Sequence, residues 1–193
     1  MGKITWNGGA LLAPVPPALV TCGTMESPNI LTVAWTGILN TIPPKTYISV
    51  RPERFSYDRI KQGGQFAINL PTAPLVRAVD LCGVRSGRDI DKFALAGLTA
   101  EPATRIECPL VVESPLALEC KVTDVVPLGS HHMFLADIVA VDVEETLIDA
   151  AGKLHLDKAG LITYAHGEYF ELGKKLGSFG YSVRKKPRPR RKH

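Results

Sequence analysis

Three groups of polar residues stand in apolar or glycine-rich surroundings where they could do chemistry. Asn29 and Thr32 lie near Trp35, Ser49 and Arg51 follow a β-rich run, and Ser86-Gly87-Arg88-Asp89 leads to Lys92. A Ser, Gly and Arg ahead of a capped helix supply a hydroxyl, backbone N–H groups and a guanidinium, a donor set suited to a phosphate. Each group alone also has an ordinary explanation. Thr32 fits a strand, Trp35 a core, Arg51 and Arg88 a solvated surface, and Lys92 the C-terminal end of a short helix. His131 and His132 are adjacent, so on a strand they point to opposite faces and cannot chelate one metal together. His131 equally suits a hydrogen-bonded histidine at a strand start. The sequence contains no G-x-G-x-x-G, P-loop, H-E-x-x-H or G-x-S-x-G motif. The usual dinucleotide cradle, NTPase site, zincin helix and esterase nucleophile are therefore without support.

The elements that must position these residues are short. Fifteen prolines and seventeen glycines cut the chain into brief segments, which favours many strands over a few long helices. Residues 17–25, 30–36, 46–50 and 65–70 read as strands, with a turn predicted at Glu26-Ser27-Pro28-Asn29. Leu116, Leu118, Cys120 and Val122 alternate with Glu119, Lys121 and Thr123, which predicts a strand with one wet face. Residues 133–143 are apolar on both faces, as expected of a strand covered on both sides by the body of the protein or by a partner. Helices are predicted over 55–62 and 74–82, with a third, shorter one capped by Asp89 and ended by Gly97. Strands, then helices, then strands again is not the alternation of a doubly wound sheet. The expected fold is mainly β, an antiparallel barrel with peripheral α-helices.

A chain of 193 residues is long enough for one domain with a sizeable core, and 45% hydrophobic with 22% charged residues excludes disorder, collagen and coiled coil. The net charge of +4 is misleading, because seven cations lie between Arg184 and Lys192. Without them 16 basic residues face 19 acidic ones, so the body carries a net charge of −3. We expect a domain over 1–183 and a disordered basic tail over 184–193. The tail could give weak, salt-sensitive nucleic-acid contact, but an acidic body makes this a secondary property at most. Cys22, Cys82, Cys108 and Cys120 are too sparse for a disulfide framework and read as buried free thiols. No apolar run approaches a membrane span and the first residues lack a signal core, so the expected location is cytoplasmic.

Residues 10–181 resemble the flavin reductase-like, FMN-binding split-barrel family, and its flavoredoxin branch most. The resemblance rests on PPALVTCG (16–23), PNILTVAWTG (28–37), ISVRPERFSYDRI (48–60), FAINLP (66–71), CGVRSGRDIDKF (82–93), LEC (118–120), GSHHMFLADI (129–138) and YFELGKKLG (169–177), matched in order. It implies an antiparallel split β-barrel with peripheral helices, a homodimer, and FMN held non-covalently near the subunit interface. The implied cofactor-lining residues are Asn29, Ile30, Leu31, Thr32, Ala34, Trp35, Ser49, Val50, Arg51, Ser86, Gly87, Arg88, Lys92 and Phe93. Ser49, Arg51 and 86–88 would lie toward the phosphate, and Thr32 and His131 at the reacting edge.

The implied activity is NAD(P)H-dependent flavin reduction, with electrons passed to free flavin, a monooxygenase or another protein. The alternative is a flavoredoxin-type electron carrier that does not turn over NAD(P)H. A cation such as Lys92 would favour the reduced, more negative flavin. A nicotinamide needs only to stack at short range, with no dinucleotide fold. The family's G-D-H motif reads Gly129-Ser130-His131 here, keeping the histidine and losing the acid. Tyr164 and Tyr169 are expected to pack, across the dimer interface or at the barrel's closure.

Overall fold

The computed structural model describes residues 2–184, so the tail from Lys185 onward lies outside the described residues. Seven strands form one sheet: β1 (Ala18–Thr24), β2 (Ser27–Val33), β3 (Thr36–Thr41), β4 (Pro44–Val50), β5 (Gln65–Asn69), β8 (Leu116–Pro127) and β9 (His132–Val143). Two small hairpins pair β6 (Ala100–Glu101) with β7 (Leu110–Val111) and β10 (Ile162–Ala165) with β11 (Glu168–Glu171). Three helices, α1 (Phe55–Gly63), α2 (Val76–Val84) and α3 (Lys92–Ala96), complete the frame.

The strand order is β2-β1-β5-β8-β9-β4-β3, and every pairing is antiparallel. The two outermost strands, β2 and β3, are consecutive in sequence and joined only by Ala34 and Trp35. A flat seven-stranded sheet would hold its edges ~29 Å apart, whereas two linking residues reach only ~10 Å. The sheet must therefore curl until its edges meet. They meet through the chain and not through a β2–β3 ladder, which makes this a split barrel.

Alternation on β1 shows how the interior fills. Ala18, Val20 and Cys22 point inward with Phe66, Ile48 and Phe134, while Leu19 points outward to a second core under α2 with Ile30, Val79 and Phe93. Full burial of side chains such as Phe66 and Phe134 stabilises the fold by roughly 1.5–3 kcal/mol each. Helix α1 plugs the barrel with Tyr57 and Ile60 and stops at Gly64, whose left-handed φ of 64° lets its N–H reach the Ile60 carbonyl. Among the described residues no helix is long and apolar enough to cross a membrane. All four cysteines are buried and free, and burial pushes the Cys82 and Cys108 thiols up to about 11 and about 12.

Four expectations are corrected. The first turn holds only Met25 and Glu26, and Ser27, Pro28 and Asn29 already belong to β2. Arg59 holds this early start by donating to the carbonyl and hydroxyl of Ser27. The strand expected over 30–36 breaks after Val33, because Ala34 and Trp35 carry the chain from one sheet edge to the other. Asp91, not Asp89, caps α3, accepting the Ala94 N–H at 3.1 Å.

Lastly, Glu119 is not on a wet face but wholly buried, beside a register shift between Glu119 and Cys120. Its carboxylate accepts the Thr104 N–H (2.8 Å), the Thr104 hydroxyl (2.7 Å) and the Arg105 N–H (2.6 Å). Burial raises its pKa, but these bonds outweigh burial and leave it below the usual range. Burial and the Glu119 charge push its neighbour Asp142 up to about 6. Residues 132–143 do form the long strand expected, yet within one chain only Phe134 and Ala136 are fully covered, and Val141 is 52% exposed.

Candidate functional site

The open seam between the two sheet edges is where the polar groups converge. A cavity of about 280 Å³ is lined by Leu31 to Val33 of the edge strand β2, by the Ala34–Trp35 link, and by Ser49, Val50 and Arg51 at the end of β4, the strand next to the other edge, with Arg54, His131, Tyr164 and Tyr169. A second cavity, of about 180 Å³, is lined by Arg85 to Arg88, Lys92, Phe55 and Ser56. Leu31, Thr32, Arg54, Gly83 and Val84 line both, so the two form one slot with a phosphate-like lobe and a ring-like lobe.

Gly83 and Gly87 make this slot possible. A Cβ on Gly83 would lie 3.4 Å from Thr32, so α2 approaches β2 closely at the junction of the lobes. A Cβ on Gly87 would lie 2.2 Å from Asn29 Oδ1 and 2.9 Å from Phe55, so the 86–88 turn seats against them only because residue 87 has no side chain. Asn29 is itself fixed, donating to Ser56 Oγ at 2.7 Å and to Cys22 Sγ at 3.3 Å. The turn is braced further by the Arg88 N–H donating to Ser86 Oγ at 3.2 Å.

Lys92 is 6% exposed and donates to the Cys82 carbonyl in the last turn of α2 at 3.0 Å. The ordinary explanation for Lys92 is thus realised, though at the end of α2, since Lys92 opens α3. Burial lowers its pKa, since desolvation disfavours the charged form. Arg54 spans the lobes, its guanidinium donating to the Gly83 carbonyl at 3.0 Å. The phosphate-like lobe therefore sets Arg54, Arg85, Arg88 and Lys92 against the single carboxylate of Glu53.

In the ring-like lobe, Tyr164 and Tyr169 of the β10–β11 hairpin pack with ring centroids 5.5 Å apart and planes tilted by 57°, and form a wall beside Trp35. Burial, with Asp80 adding to it, raises the Tyr169 phenol. The Thr32 hydroxyl donates to the Val79 carbonyl, so it offers the slot an acceptor and no donor. His131 shares a 3.0 Å hydrogen bond with Ser130 through Nδ1, and burial together with Arg51 and Arg54 lowers its pKa.

Not every expected residue faces the slot. Ile30 and Phe93 point into the core beneath α2, and Asn29 lies under the 86–88 turn. Ser49 and Arg51, expected toward the phosphate, line the ring-like lobe and not the phosphate-like one. Arg54, Asp80, Gly83 and Val84 were not foreseen. The i, i+3, i+4 spacing of Asp80, Gly83 and Val84 is the only sequence signal, marking one face of α2.

Fold and site together define an antiparallel split barrel whose seam holds a cationic lobe joined to an aromatic one. Residues 11–173 match the flavin reductase like domain, and the chain belongs to that family. The flavoredoxin of Desulfovibrio vulgaris (Miyazaki F) is 31% identical, with 95% of this chain covering 100% of that one at a TM-score of 0.88. The flavoredoxin from Methanosarcina acetivorans, 24% identical over 95% of this chain and 100% of that chain, shares the fold at a TM-score of 0.85. An FMN-binding protein from Thermus thermophilus, solved with bound 1-cyclohex-2-enone, is 25% identical over 92% of this chain and 99% of that chain, with a TM-score of 0.78.

Proposed function

We propose that the chain binds FMN without a covalent bond and acts as an NAD(P)H-dependent oxidoreductase, passing electrons to free flavin or to a protein such as a monooxygenase. The continuity of the two lobes carries this reading, since a phosphorylated chain needs the first and a flat ring the second. The FMN ring, when bound, supplies hydride acceptance and electron transfer. The protein's part is to bind and orient. Ser86, Arg88, Lys92 and the N–H groups around Gly87 would hold the phosphate. Trp35, Tyr164 and Tyr169 would cover the ring and exclude water. Thr32, its proton committed to Val79, would accept from a ring N–H, and the cations of Arg54 and Lys92 favour negative charge in the slot.

FMN titration of the purified protein, followed by quenching of flavin fluorescence, tests this reading. Saturable quenching with perturbed absorption bands is expected, and unperturbed FMN refutes it. The second reading, an electron carrier without NAD(P)H turnover, is favoured by the neutral hydroxyl of Ser130 as the hydrogen-bond partner of His131. Steady-state oxidation of NADH and NADPH with excess FMN separates the two, because rapid turnover excludes the carrier.

A homodimer is part of the proposal. Ile38 and Val141 on the barrel, Trp6 near the N-terminus and Phe179 near the C-terminus all stand in solvent in the single chain, more apolar surface than a lone subunit keeps. Equilibrium sedimentation checks it. The four free thiols accord with the reducing cytoplasm.

A further inference from the structure

We propose that Arg51, with His131 beside it, is a second anion-binding point at the ring end of the slot, and that it receives a phosphate of the second reactant while the cofactor's own phosphate goes to the 86–92 lobe. The proposal rests on the FMN reading above and deepens it by naming the residues that take a phosphate of the second reactant, a nicotinamide dinucleotide.

The cations of the slot fall in two places. Arg85, Arg88 and Lys92 line only the phosphate-like lobe, whereas Arg51 lines only the ring-like one. Between them Arg54 is tied to the Gly83 carbonyl. A monophosphate occupies one place, so Arg51 is left without a role in holding FMN.

Its surroundings leave it available. The sole ion-pair partner of Arg51 among the described residues is Glu53, 4.0 Å from Nε, beyond hydrogen-bonding range, with the two side chains 57% and 78% exposed. Its guanidinium fork can therefore meet a phosphate with two parallel hydrogen bonds. The backbone beneath it is firm, because the Arg51 carbonyl accepts the Arg54 N–H at 3.0 Å in the corner that leads to α1.

Register supplies the second donor. Val50 pairs with His132 across β4 and β9, so the next residues along, Arg51 and His131, leave the ladder side by side. Ser130 Oγ and His131 Nδ1 share a 3.0 Å hydrogen bond, so in the tautomer where the hydroxyl donates, the ring proton sits on Nε2 as an uncharged donor. The one carboxylate of this lobe, Asp80, belongs to α2, so an anion is drawn to the strand-end side.

The test compares wild type, Arg51→Gln and Arg88→Gln, each loaded with FMN. FMN affinity is read by fluorescence quenching. Anaerobic bleaching of the bound flavin is then followed against the concentration of NADPH, or of 1-benzyl-1,4-dihydronicotinamide, a hydride donor without phosphate. For Arg51→Gln we expect FMN affinity within about twofold of wild type and a half-saturating NADPH concentration raised about tenfold, the loss of one charge-assisted contact. The response to the neutral donor should not change. For Arg88→Gln, FMN affinity should fall instead. Equal loss of FMN affinity in both variants would place Arg51 with the cofactor's phosphate and overturn the proposal. So would equal effects on the two donors, no effect on either, or failure of NADPH to bleach the bound flavin. If the wild type takes up no FMN, it is the reading of function that fails.

Discussion

Replacing Gly87 by alanine puts a methyl group where the structure has no room. The new Cβ would stand 2.2 Å from Asn29 Oδ1 and 2.9 Å from Phe55 Cδ1, so something must move by about 1 Å. Asn29 is 5% exposed and bonded to Ser56 and Cys22, so turning it aside breaks a buried hydrogen bond. That loss and the overpacking each cost about 1–3 kcal/mol. A destabilisation of about 2 kcal/mol lowers Tm by about 4–8 °C for a chain of this size. If the turn yields instead, stability is kept, but Ser86 and Arg88 are displaced and FMN binding weakens about tenfold or more. Thermal unfolding of the cofactor-free protein and FMN titration by fluorescence quenching read both routes. Gly173→Ala is the control, since nothing lies within 4 Å of a Cβ there. A Gly87→Ala protein that matches this control in both Tm and FMN affinity refutes the packing argument.

Two further perturbations address charge. Burial lowers the Lys92 pKa in the free protein, and a bound phosphate would restore the protonated form, so binding should take up a proton and FMN affinity should fall as pH rises through the lowered pKa. Lys92→Gln should bind FMN more weakly near neutrality and lose this pH dependence; an equal decline in variant and wild type counts against a role for Lys92. Asp142, raised to about 6 by burial and by Glu119, binds its proton more tightly folded than unfolded, so its contribution to stability falls as pH rises from its ordinary value through 6. Asp142→Asn should therefore stabilise the protein at pH 8 by about 1 kcal/mol and not at pH 4. Urea unfolding at the two pH values checks this, and a gain of the same size at both removes carboxyl repulsion as the cause.

The elements legible in the sequence were those with both a periodicity and a stop. Helix α1 ends where Gly63 and Gly64 permit a left-handed turn, and β1, β4 and β5 are apolar runs bounded by Pro or Gly. Strand β3 was missed because TGILNT shows its side chains mostly to solvent and has no core-facing alternation to reveal it. Glu119 was misplaced because its partners, Thr104 and Arg105, are remote in sequence, and only the folded chain satisfies its carboxylate internally. The same limit governs the site. The segments around Thr32, Ser49 and Ser86 carry local signals, but that Arg54, Asp80 and Gly83 join them follows from how α1 and α2 lie along the seam. Arg51 shows the converse, being legible as a cation while the lobe it faces depends on the curl of the sheet.

The Ala34–Trp35 link works as a staple across an unzipped garment. Because two residues alone tie the margins together there, the gap between them is fixed by covalent length and not by the fit of neighbouring side chains. A single inserted residue would let the margins spread by up to about 3.5 Å, enough to lose grip on a flat occupant while leaving every ladder of the sheet intact. Selection for differently shaped guests can therefore act on the rims, where Arg51, Val84 and the tyrosine hairpin stand, without altering the width of the opening itself.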